Sequence, residues 1–196
     1  MKSGIRIVYS PAQLSSRIAR LGRSISRDYA GRVVDVVILL ESAFFFSADL
    51  VRRITQPVVC HFLRSELREV NWGGYSRREV FFGHPPPLRG RHVLVVDAVL
   101  RSGVTQDFLV KRLLEGRPRS LRLAVLVDKP QERKVDLQPD YFGFVCASKT
   151  LVGYGLAGSR GWYRNLPYLG LLAQRGRRQA ARSGRRVRKP RGASGR

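Results

Sequence analysis

The sequence has few residues that could hold a metal ion and no long apolar run. Its two cysteines, Cys60 and Cys146, cannot form a zinc site of the C-x-x-C kind, and the three histidines lack metal-ligand spacing. The apolar run Val36 to Leu40 is far shorter than the roughly 20 residues that cross a membrane, and no signal-peptide segment opens the chain. These absences predict a cytoplasmic protein with no metal site of its own and no membrane partner.

Acidic residues are also scarce. The 196 residues include 37 Lys or Arg against 14 Asp or Glu, which gives a formal net charge of +23. A surface this basic attracts polyanions, chiefly nucleic acid. Because 43% of the residues are hydrophobic, the chain can still form one ordinary folded domain. The charge balance therefore favours RNA or DNA as a partner of a folded protein.

The positive charge is concentrated at the C-terminus. Residues 173–196 contain ten Lys or Arg and no acidic residue, with few apolar side chains to bury. This composition predicts a folded domain over 1–172, followed by a basic tail that is disordered when alone. Such a tail is either a solvated extension that keeps the protein soluble or an arm that binds the phosphates of RNA or DNA. The cations expected in such an arm are Arg175, Arg177, Arg178, Arg185, Arg186, Arg188 and Lys189.

Strand and helix patterns alternate along the rest of the chain. Ser10, Pro11 and Gln13 have the spacing of a capping box with proline in the first helical turn, and apolar residues follow at helical intervals. The β-branched run 33–40 is typical of a strand buried on both faces. Further strands are predicted over 5–9, 58–63, 93–96 and 121–127, and further helices over 48–54 and 108–114. This order predicts an α/β fold with a central, mostly parallel sheet flanked by helices.

The pattern breaks down between residues 64 and 88. This stretch contains Gly73-Gly74 and Pro85-Pro86-Pro87 together with many charges. Loops of this length are uncommon in compact domains and often cover a functional site. We therefore expect a long excursion over the carboxyl-terminal edge of the sheet, with an irregular hairpin as one form that it can take.

The most informative motif lies between residues 93 and 105. A buried strand leads to Asp97, and Ser102-Gly103-Val104-Thr105 follows where a helix is expected to begin. Backbone N–H groups and hydroxyls at a helix N-terminus point at one place and bind phosphate. The motif therefore predicts a phosphate cradle, although serine and glycine at such a turn are also ordinary capping residues.

Together with three other stretches, this motif resembles the hypoxanthine-guanine phosphoribosyltransferase family of type I phosphoribosyltransferases. Residues 36–50 resemble the family's pyrophosphate loop and the helix after it, 128–144 its purine pocket, and 151–168 its C-terminal hood. The order and spacing agree over about residues 5 to 172. The resemblance implies the type I phosphoribosyltransferase fold with a small hood region. It also implies phosphoribosyl pyrophosphate and magnesium as ligands of an active member, and a homodimer or homotetramer.

The resemblance assigns roles to individual residues. Lys129 matches the lysine that hydrogen-bonds the purine 6-oxo group, and Leu151 matches the position whose backbone meets the purine edge. Arg164 matches the arginine that reaches pyrophosphate, a task suited to the forked donors of a guanidinium. The residues that match the phosphate- and ribose-binding motif are Asp97, Ser102, Gly103, Val104 and Thr105.

Several positions that carry chemistry in the family hold different residues in this chain. Glu41 replaces the Lys or Arg of the pyrophosphate loop, and Arg101 stands at the position of the general base for the purine N7 proton. Ala98 and Ala157 replace carboxylates, the second of which helps hold magnesium in the family, and Thr150 replaces an aromatic ring that stacks on the purine. Loss of a positioned base alone costs roughly 10²- to 10⁴-fold in rate.

These departures leave three hypotheses. The first is a catalytically impaired family member that keeps a cradle for a nucleotide or another phosphorylated small molecule and binds RNA or DNA through its basic surface and tail. The second is a working enzyme of purine salvage, which uses phosphoribosyl pyrophosphate and magnesium to make IMP or GMP from hypoxanthine or guanine. The third is a non-catalytic subunit that pairs with an active paralogue.

Overall fold

The computed structural model describes residues 4–72, 75–82, 86–147 and 150–172. In chain order the elements are β1 (Ile5–Tyr9), α1 (Pro11–Asp28), β2 (Val34–Leu40), α2 (Phe44–Val51), β3 (Val58–Trp72), β4 (Tyr75–Phe82), β5 (His92–Leu100), α3 (Val104–Glu115), β6 (Ser120–Asp128), β7 (Tyr141–Val145), β8 (Leu151–Val152) and β9 (Leu169–Leu172). The basic tail over 173–196 lies outside the described residues. Its disorder, its phosphate-binding cations and the domain boundary at residue 172 therefore stay predictions.

The main sheet has six strands in the order β4-β3-β2-β5-β6-β7. Its strands run parallel except β4, which is antiparallel to β3. The predicted α/β fold with a central, mostly parallel sheet is confirmed. A smaller antiparallel sheet in the order β1-β9-β8 joins the two ends of the described chain. This smaller sheet forms the expected hood region.

Helices cover both faces of the main sheet. In β2, Val36 and Ile38 belong to the core that includes the buried residues of α1 and α2, whereas Val37 and Leu39 belong to the core on the α3 side. Successive side chains of a strand point to opposite faces, so this strand is buried on both, as its β-branched run predicts. No helix in the described part of the chain is long and apolar enough to cross a membrane.

The start of α1 follows the sequence pattern closely. The Ser10 N–H donates to Gln13 Oε1 at 2.8 Å, and the Gln13 N–H donates to Ser10 Oγ at 3.3 Å. The predicted capping box is therefore confirmed. The apolar residues at helical spacing, Leu14, Ile18, Leu21 and Ile25, are all buried. Burial of this stripe leaves the opposite face of α1 to solvent.

The bounds of two helices differ from those of their apolar patterns. Helix α2 begins at Phe44 and ends at Val51, not at residues 48 and 54. The buried pair of this helix is Phe46 and Leu50, which are four residues apart, so its inward face starts earlier than expected. Helix α3 begins at Val104 with Gly103 as its N-cap, four residues before the apolar pattern at 108 and where the motif at 102–105 predicts a helix start.

The excursion between residues 64 and 88 contains a β-hairpin. Strand β3 continues past its expected end at residue 63 to Trp72, and β4 pairs back on it from Ser65 opposite Phe82 to Trp72 opposite Tyr75. Antiparallel pairing satisfies backbone groups that an open loop would leave to solvent. Strand β5 also runs further than expected, to Leu100.

Candidate functional site

A cavity of about 490 Å³ opens at the carboxyl-terminal edge of the main sheet, between the sheet and the hood. Its walls come from the ends of β5 and β6, the start of α3, and the region around β8. The lining residues are Ser42, Val99, Arg101, Ser102, Thr105, Gln106, Lys129, Thr150, Leu151, Leu156 and Ala157. Clefts outside the carboxyl ends of parallel strands are common ligand sites in α/β folds, which makes this cavity the candidate functional site.

The turn between β5 and α3 forms one wall of the cavity. Gly103, the N-cap of α3, has a φ of 80°, a left-handed conformation that favours glycine. A Cβ at this position would lie 2.8 Å from the Val135 side chain and 3.1 Å from that of Arg133. Ser102 and Thr105 line the cavity beside the helix N-terminus, where hydroxyls, backbone N–H groups and the helix dipole favour an anion. This geometry supports the predicted phosphate cradle.

A buried ion pair supports the cradle from behind. Arg133 pairs with Asp128, and the two side chains are only 8% and 7% exposed. The Lys134 N–H donates to the Ser102 carbonyl at 2.9 Å and so holds this segment against the loop. Within the described residues, Arg133 Nε and Nη1 have no hydrogen-bond partner. The charge of the guanidinium is offset by Asp128, while two of its nitrogens remain available as donors beside the loop. Sequence reasoning missed Arg133, because an arginine in a loop is ordinarily exposed.

Asp97 is bonded inside the protein. Its carboxylate accepts hydrogen bonds from Gln106 Nε2 and from the Ala98 N–H, both at 2.6 Å. Burial raises the pKa of Asp97 to about 6, although these hydrogen bonds by themselves would lower it. Gln106 lines the cavity, whereas Asp97 does not. Sequence reasoning also missed Gln106. The carboxyl group expected to meet ribose is therefore engaged by a neighbouring side chain.

Two cations of the cavity lining share one carboxylate beside the cradle. Lys129 Nζ lies 3.3 Å from Glu132 Oε1, and Arg101 Nε lies 3.9 Å from Glu132 Oε2. The Lys129 side chain is only 4% exposed, and its backbone N–H donates to the Leu100 carbonyl at 3.0 Å. Because both cations approach Glu132, they lie close to each other, at the family's purine 6-oxo and general-base positions. Glu132 is a third residue that sequence reasoning missed.

Glu41 lies between two arginines. Arg64 Nη2 is 2.8 Å from Glu41 Oε1, and Arg164 Nη2 is 3.3 Å from Glu41 Oε2. Arg164 Nη1 also donates to the Gly155 carbonyl at 2.7 Å. The arginine expected to reach pyrophosphate is therefore paired with a carboxylate of the chain. That carboxylate belongs to the loop that would hold pyrophosphate in the family.

The structure brings together about half of the residues expected at the site. Those that line the cavity are Arg101, Ser102, Thr105, Lys129 and Leu151. Those that do not line it are Asp97, Gly103, Val104 and Arg164. Gly103 and Val104 lie at the start of α3 and shape the cradle with their backbone, whereas the tail cations lie outside the described residues. The assigned roles of all these residues stay predictions.

The residues around the cavity do not fit a magnesium ion. Magnesium prefers oxygen ligands and is usually held in proteins by one or two carboxylates together with substrate phosphates. Among the described residues, the cavity lining contains no carboxylate, with Ala157 in the lining and Ala98 buried behind it. Asp97 is occupied by Gln106. Over the same described residues, no three of His, Cys, Asp and Glu are grouped as metal ligands would be.

Comparison with known proteins identifies the family. Residues 8–157 match the phosphoribosyl transferase domain model. The hypoxanthine phosphoribosyltransferase of Salmonella typhimurium is 31% identical over 172 residues, which cover 87% of this chain and 96% of that protein. The bifunctional protein TilS/HprT of Listeria monocytogenes is 34% identical over 169 residues, which cover 85% of this chain but only 26% of that protein. The chain thus spans about a quarter of the bifunctional relative.

Solved structures agree with the sequence relatives. A hypoxanthine-guanine phosphoribosyltransferase from Bacillus anthracis superposes with a TM-score of 0.76 at 30% identity, covering 88% of this chain and 100% of that one. A hypoxanthine phosphoribosyltransferase from Staphylococcus aureus superposes with a TM-score of 0.77 at 28% identity. With this fold, this family match and this sequence identity, the chain belongs to the hypoxanthine-guanine phosphoribosyltransferase family.

Proposed function

We propose that this chain is a cytoplasmic, catalytically impaired family member that binds a purine nucleotide and nucleic acid. The pairing of Glu41 with Arg64 and Arg164 is the observation that carries the proposal. A pyrophosphate group would have to displace this carboxylate from both arginines and would be repelled by it. Stabilisation of charge on the leaving group is usually a large part of transition-state stabilisation, so the substitution opposes the transfer step.

Arg101 supports the same proposal from the purine end. A guanidinium, which stays protonated in proteins, cannot accept the purine N7 proton as a general base does. It can instead donate to an N7 that carries no proton, as in a nucleotide. Arginine pairs well with the adjacent O6 and N7 acceptors of guanine, and Lys129 lies beside Arg101 through their shared Glu132. The proposed ligand is a 6-oxopurine nucleoside 5′-monophosphate with its phosphate in the cradle.

The proposed affinity for RNA or DNA is supported by charge. The whole chain has a formal net charge of +23, and ten of its cations lie in the tail. Substituting Arg185, Arg186 and Arg188 together by glutamine in the full chain should weaken nucleic-acid binding and flatten its salt dependence. The slope of log affinity against log salt concentration should fall in magnitude by about 0.7 for each single-strand phosphate that is no longer neutralised. An unchanged affinity would show that the tail is only a solvated extension.

An active enzyme is the alternative for the pocket. The cradle, Lys129 and Arg164 are retained in a chain that covers 96% of a hypoxanthine phosphoribosyltransferase. Such an enzyme would form IMP or GMP from hypoxanthine or guanine. For this alternative to hold, Arg164 must leave Glu41 when phosphoribosyl pyrophosphate binds, and another group must take the N7 proton.

A protein partner is supported by two exposed rings of α2. Phe44 and Phe45 are 55% and 40% exposed, whereas Phe46 is fully buried. The two rings meet edge to face with centroids 5.3 Å apart, and exposed aromatic rings are common in protein interfaces. They would suit a homodimer, a homotetramer or a complex with an active paralogue. Sedimentation of the wild type beside a Phe44→Ser, Phe45→Ser variant tests this contact.

The deciding experiment measures transfer and binding on the same purified chain. Turnover of hypoxanthine and guanine with phosphoribosyl pyrophosphate and magnesium should fall at least ~100-fold below that of the Salmonella typhimurium relative. Calorimetry should still detect GMP or IMP, and with higher affinity than AMP, whose 6-amino group is a donor. Turnover at the relative's level would establish the active enzyme. Folded protein without affinity for any of these nucleotides would overturn the proposed ligand.

A pair of variants makes the test specific. Glu41→Lys combined with Arg101→Asp restores the charges that the family has at both positions and should raise turnover. Glu115→Lys is the control. It changes the charge as Glu41→Lys does, and it breaks an exposed ion pair with Arg112 at the far end of α3. This control should leave turnover unchanged.

A further inference from the structure

Helix α1 carries a row of arginines on its exposed side. Arg17, Arg20, Arg23 and Arg27 are spaced by three or four residues, which places them on one side of the helix. Arg20, Arg23 and Arg27 are exposed, and Arg17 is partly buried. Arg20 and Arg27 are separated by about 10 Å along the helix axis. The row therefore offers several cations in sequence and not a single point charge.

A groove runs beside this row. Its volume is about 390 Å³, and its lining consists of Arg20, Arg23, Arg27, Arg53 and the hydroxyl residues Ser24, Ser26 and Thr55. Arg53 reaches the helix because Gly22 has no side chain. A Cβ at Gly22 would lie 2.4 Å from Arg53 Cβ and 2.7 Å from the Arg53 carbonyl oxygen. The close packing of the segment after α2 against α1 thus adds a fourth arginine to the groove.

The arginines of the groove have no carboxylate partner among the described residues, which several other surface cations have. Elsewhere Arg52 pairs with Asp49, Lys111 with Asp107, and Arg112 with Glu115. Within the described residues, no ion pair involves an arginine of the groove.

Asp28 is the acidic residue of α1. A hydrogen bond from Tyr141 and, less strongly, the charge of Arg27 lower its pKa, but its hydrogen bonds go to residues outside the groove. Its carboxylate accepts from Arg122 Nη1 and from the Tyr141 hydroxyl, each at 2.7 Å, on another side of the helix end. Like charges at these helical spacings repel by roughly 0.2–0.5 kcal/mol per pair. An anion in the groove would relieve that repulsion.

We infer that this groove binds the phosphodiester backbone of a nucleic acid, as a surface of the folded domain separate from the tail. Arginine is better suited than lysine to phosphate because its planar fork donates two hydrogen bonds. The hydroxyls of Ser24 and Thr55 at the groove supply further donors. The roughly 10 Å between Arg20 and Arg27 is long enough for successive phosphates of one strand to meet different arginines. The lining has no apolar side chain, whereas helices that lie on membranes insert apolar residues. The inference rests on the proposed affinity for nucleic acid and names the folded surface that provides it.

The test compares two triple variants of the full chain. The groove variant is Arg20→Gln, Arg23→Gln, Arg53→Gln. The control variant is Arg89→Gln, Arg117→Gln, Arg119→Gln, which removes the same charge from exposed positions outside the groove. Affinity for labelled single-stranded RNA, single-stranded DNA and duplex DNA is measured by fluorescence anisotropy across salt. Thermal unfolding and GMP titration verify that both variants keep the fold and the pocket.

The groove variant should lose at least ~10-fold in affinity, and its salt slope should fall by about 2, which is 0.7 for each of three phosphates of a single strand. The control should lose less than about threefold. Equal losses in the two variants would overturn the groove and leave a diffuse electrostatic attraction. Groove-dependent binding to anionic lipid vesicles with no effect on nucleic acid would overturn it in favour of a membrane surface. If the wild-type chain has no affinity for nucleic acid, the proposed partner itself is refuted. This result differs from equal losses in the two variants and from binding to lipid vesicles, which refute only the groove.

Discussion

The cradle and the segment around Glu41 differ in how their charges would act on a phosphate group. At the cradle, the helix N-terminus and two hydroxyls favour an anion from solvent, and the described lining of the cavity contains no carboxylate. At the pyrophosphate loop, Glu41 already provides an anion to Arg64 and Arg164. The two ends lie on different loops, one after β5 and one after β2. The comparison therefore predicts that one of the proposed phosphate sites can change while the other is kept, because the two loops follow different strands.

The largest expected effect is at the cradle. Gly103→Val places a branched side chain at a positive φ and against Val135 and Arg133. Strain and overlap of this kind cost about 3 kcal/mol together. We expect nucleotide affinity to fall by at least ~100-fold, measured by calorimetry. Gly116→Val, at the other end of α3 where φ is negative, is the control, and equal losses in both variants would argue against a specific role for the cradle.

The next effect is a pH dependence of the folding stability, caused by Asp97. Burial raises the pKa of Asp97 from its usual 3.8 to about 6 in the folded protein. The folded state thus holds this proton more tightly than the unfolded state does. The stability that the group contributes is fully present below pH ~4 and is lost as pH rises to about 6, by roughly 2 kcal/mol.

Urea unfolding across this pH range measures that loss. The difference between wild type and Asp97→Asn should change between pH 4 and 6, because the variant cannot titrate there. A constant difference would mean that Asp97 keeps an ordinary pKa in the fold.

The third effect is at the pyrophosphate loop. Glu41→Lys removes the competing carboxylate and adds a cation, so affinity for inorganic pyrophosphate should rise about tenfold. Affinity for GMP, whose single phosphate would occupy the cradle, should change by less than about twofold. Titration with both ligands at low and high salt checks this contrast. If GMP affinity rises as much as pyrophosphate affinity, the two ends are not independent.

The smallest expected effect is the loss of one hydroxyl. Ser102→Ala removes a donor to the cradle phosphate and should weaken GMP binding by about fivefold, which is about 1 kcal/mol, the usual net value of one hydrogen bond. Ser42→Ala, on the opposite loop of the same cavity, should have little effect on GMP. A larger loss for Ser42→Ala would mean that the nucleotide phosphate binds near Ser42 and not in the cradle, contrary to our proposal.

Much of the fold could be predicted from local patterns. The capping box at Ser10 and the apolar stripe of α1 were both confirmed, because they depend on residues within a few turns of one another. The start of α2 at Phe44 was missed. Three adjacent phenylalanines have no helical period, and only packing decides that Phe46 points inward while Phe44 and Phe45 stay exposed.

The candidate site was predictable where it is continuous in sequence. Ser102 and Thr105 follow a strand and open a helix, so their approach to one point follows from the turn itself. Gln106 and Glu132 carried no such signal. Their partners are set by which side chains the folded loops bring within a few ångströms, and a glutamine in a first helical turn is ordinarily solvated.

By itself, the sequence determined the alternation of strands and helices, the excess of positive charge and the substitutions at family positions, because each depends on residue type and short-range spacing. Only the tertiary structure decided what those substitutions do. Glu41 meets Arg64 across 23 residues and Arg164 across 123, and Arg53 reaches the arginine row of α1 through the packing at Gly22. Charges interact through distance in space, and that distance is fixed by how the sheet and helices pack.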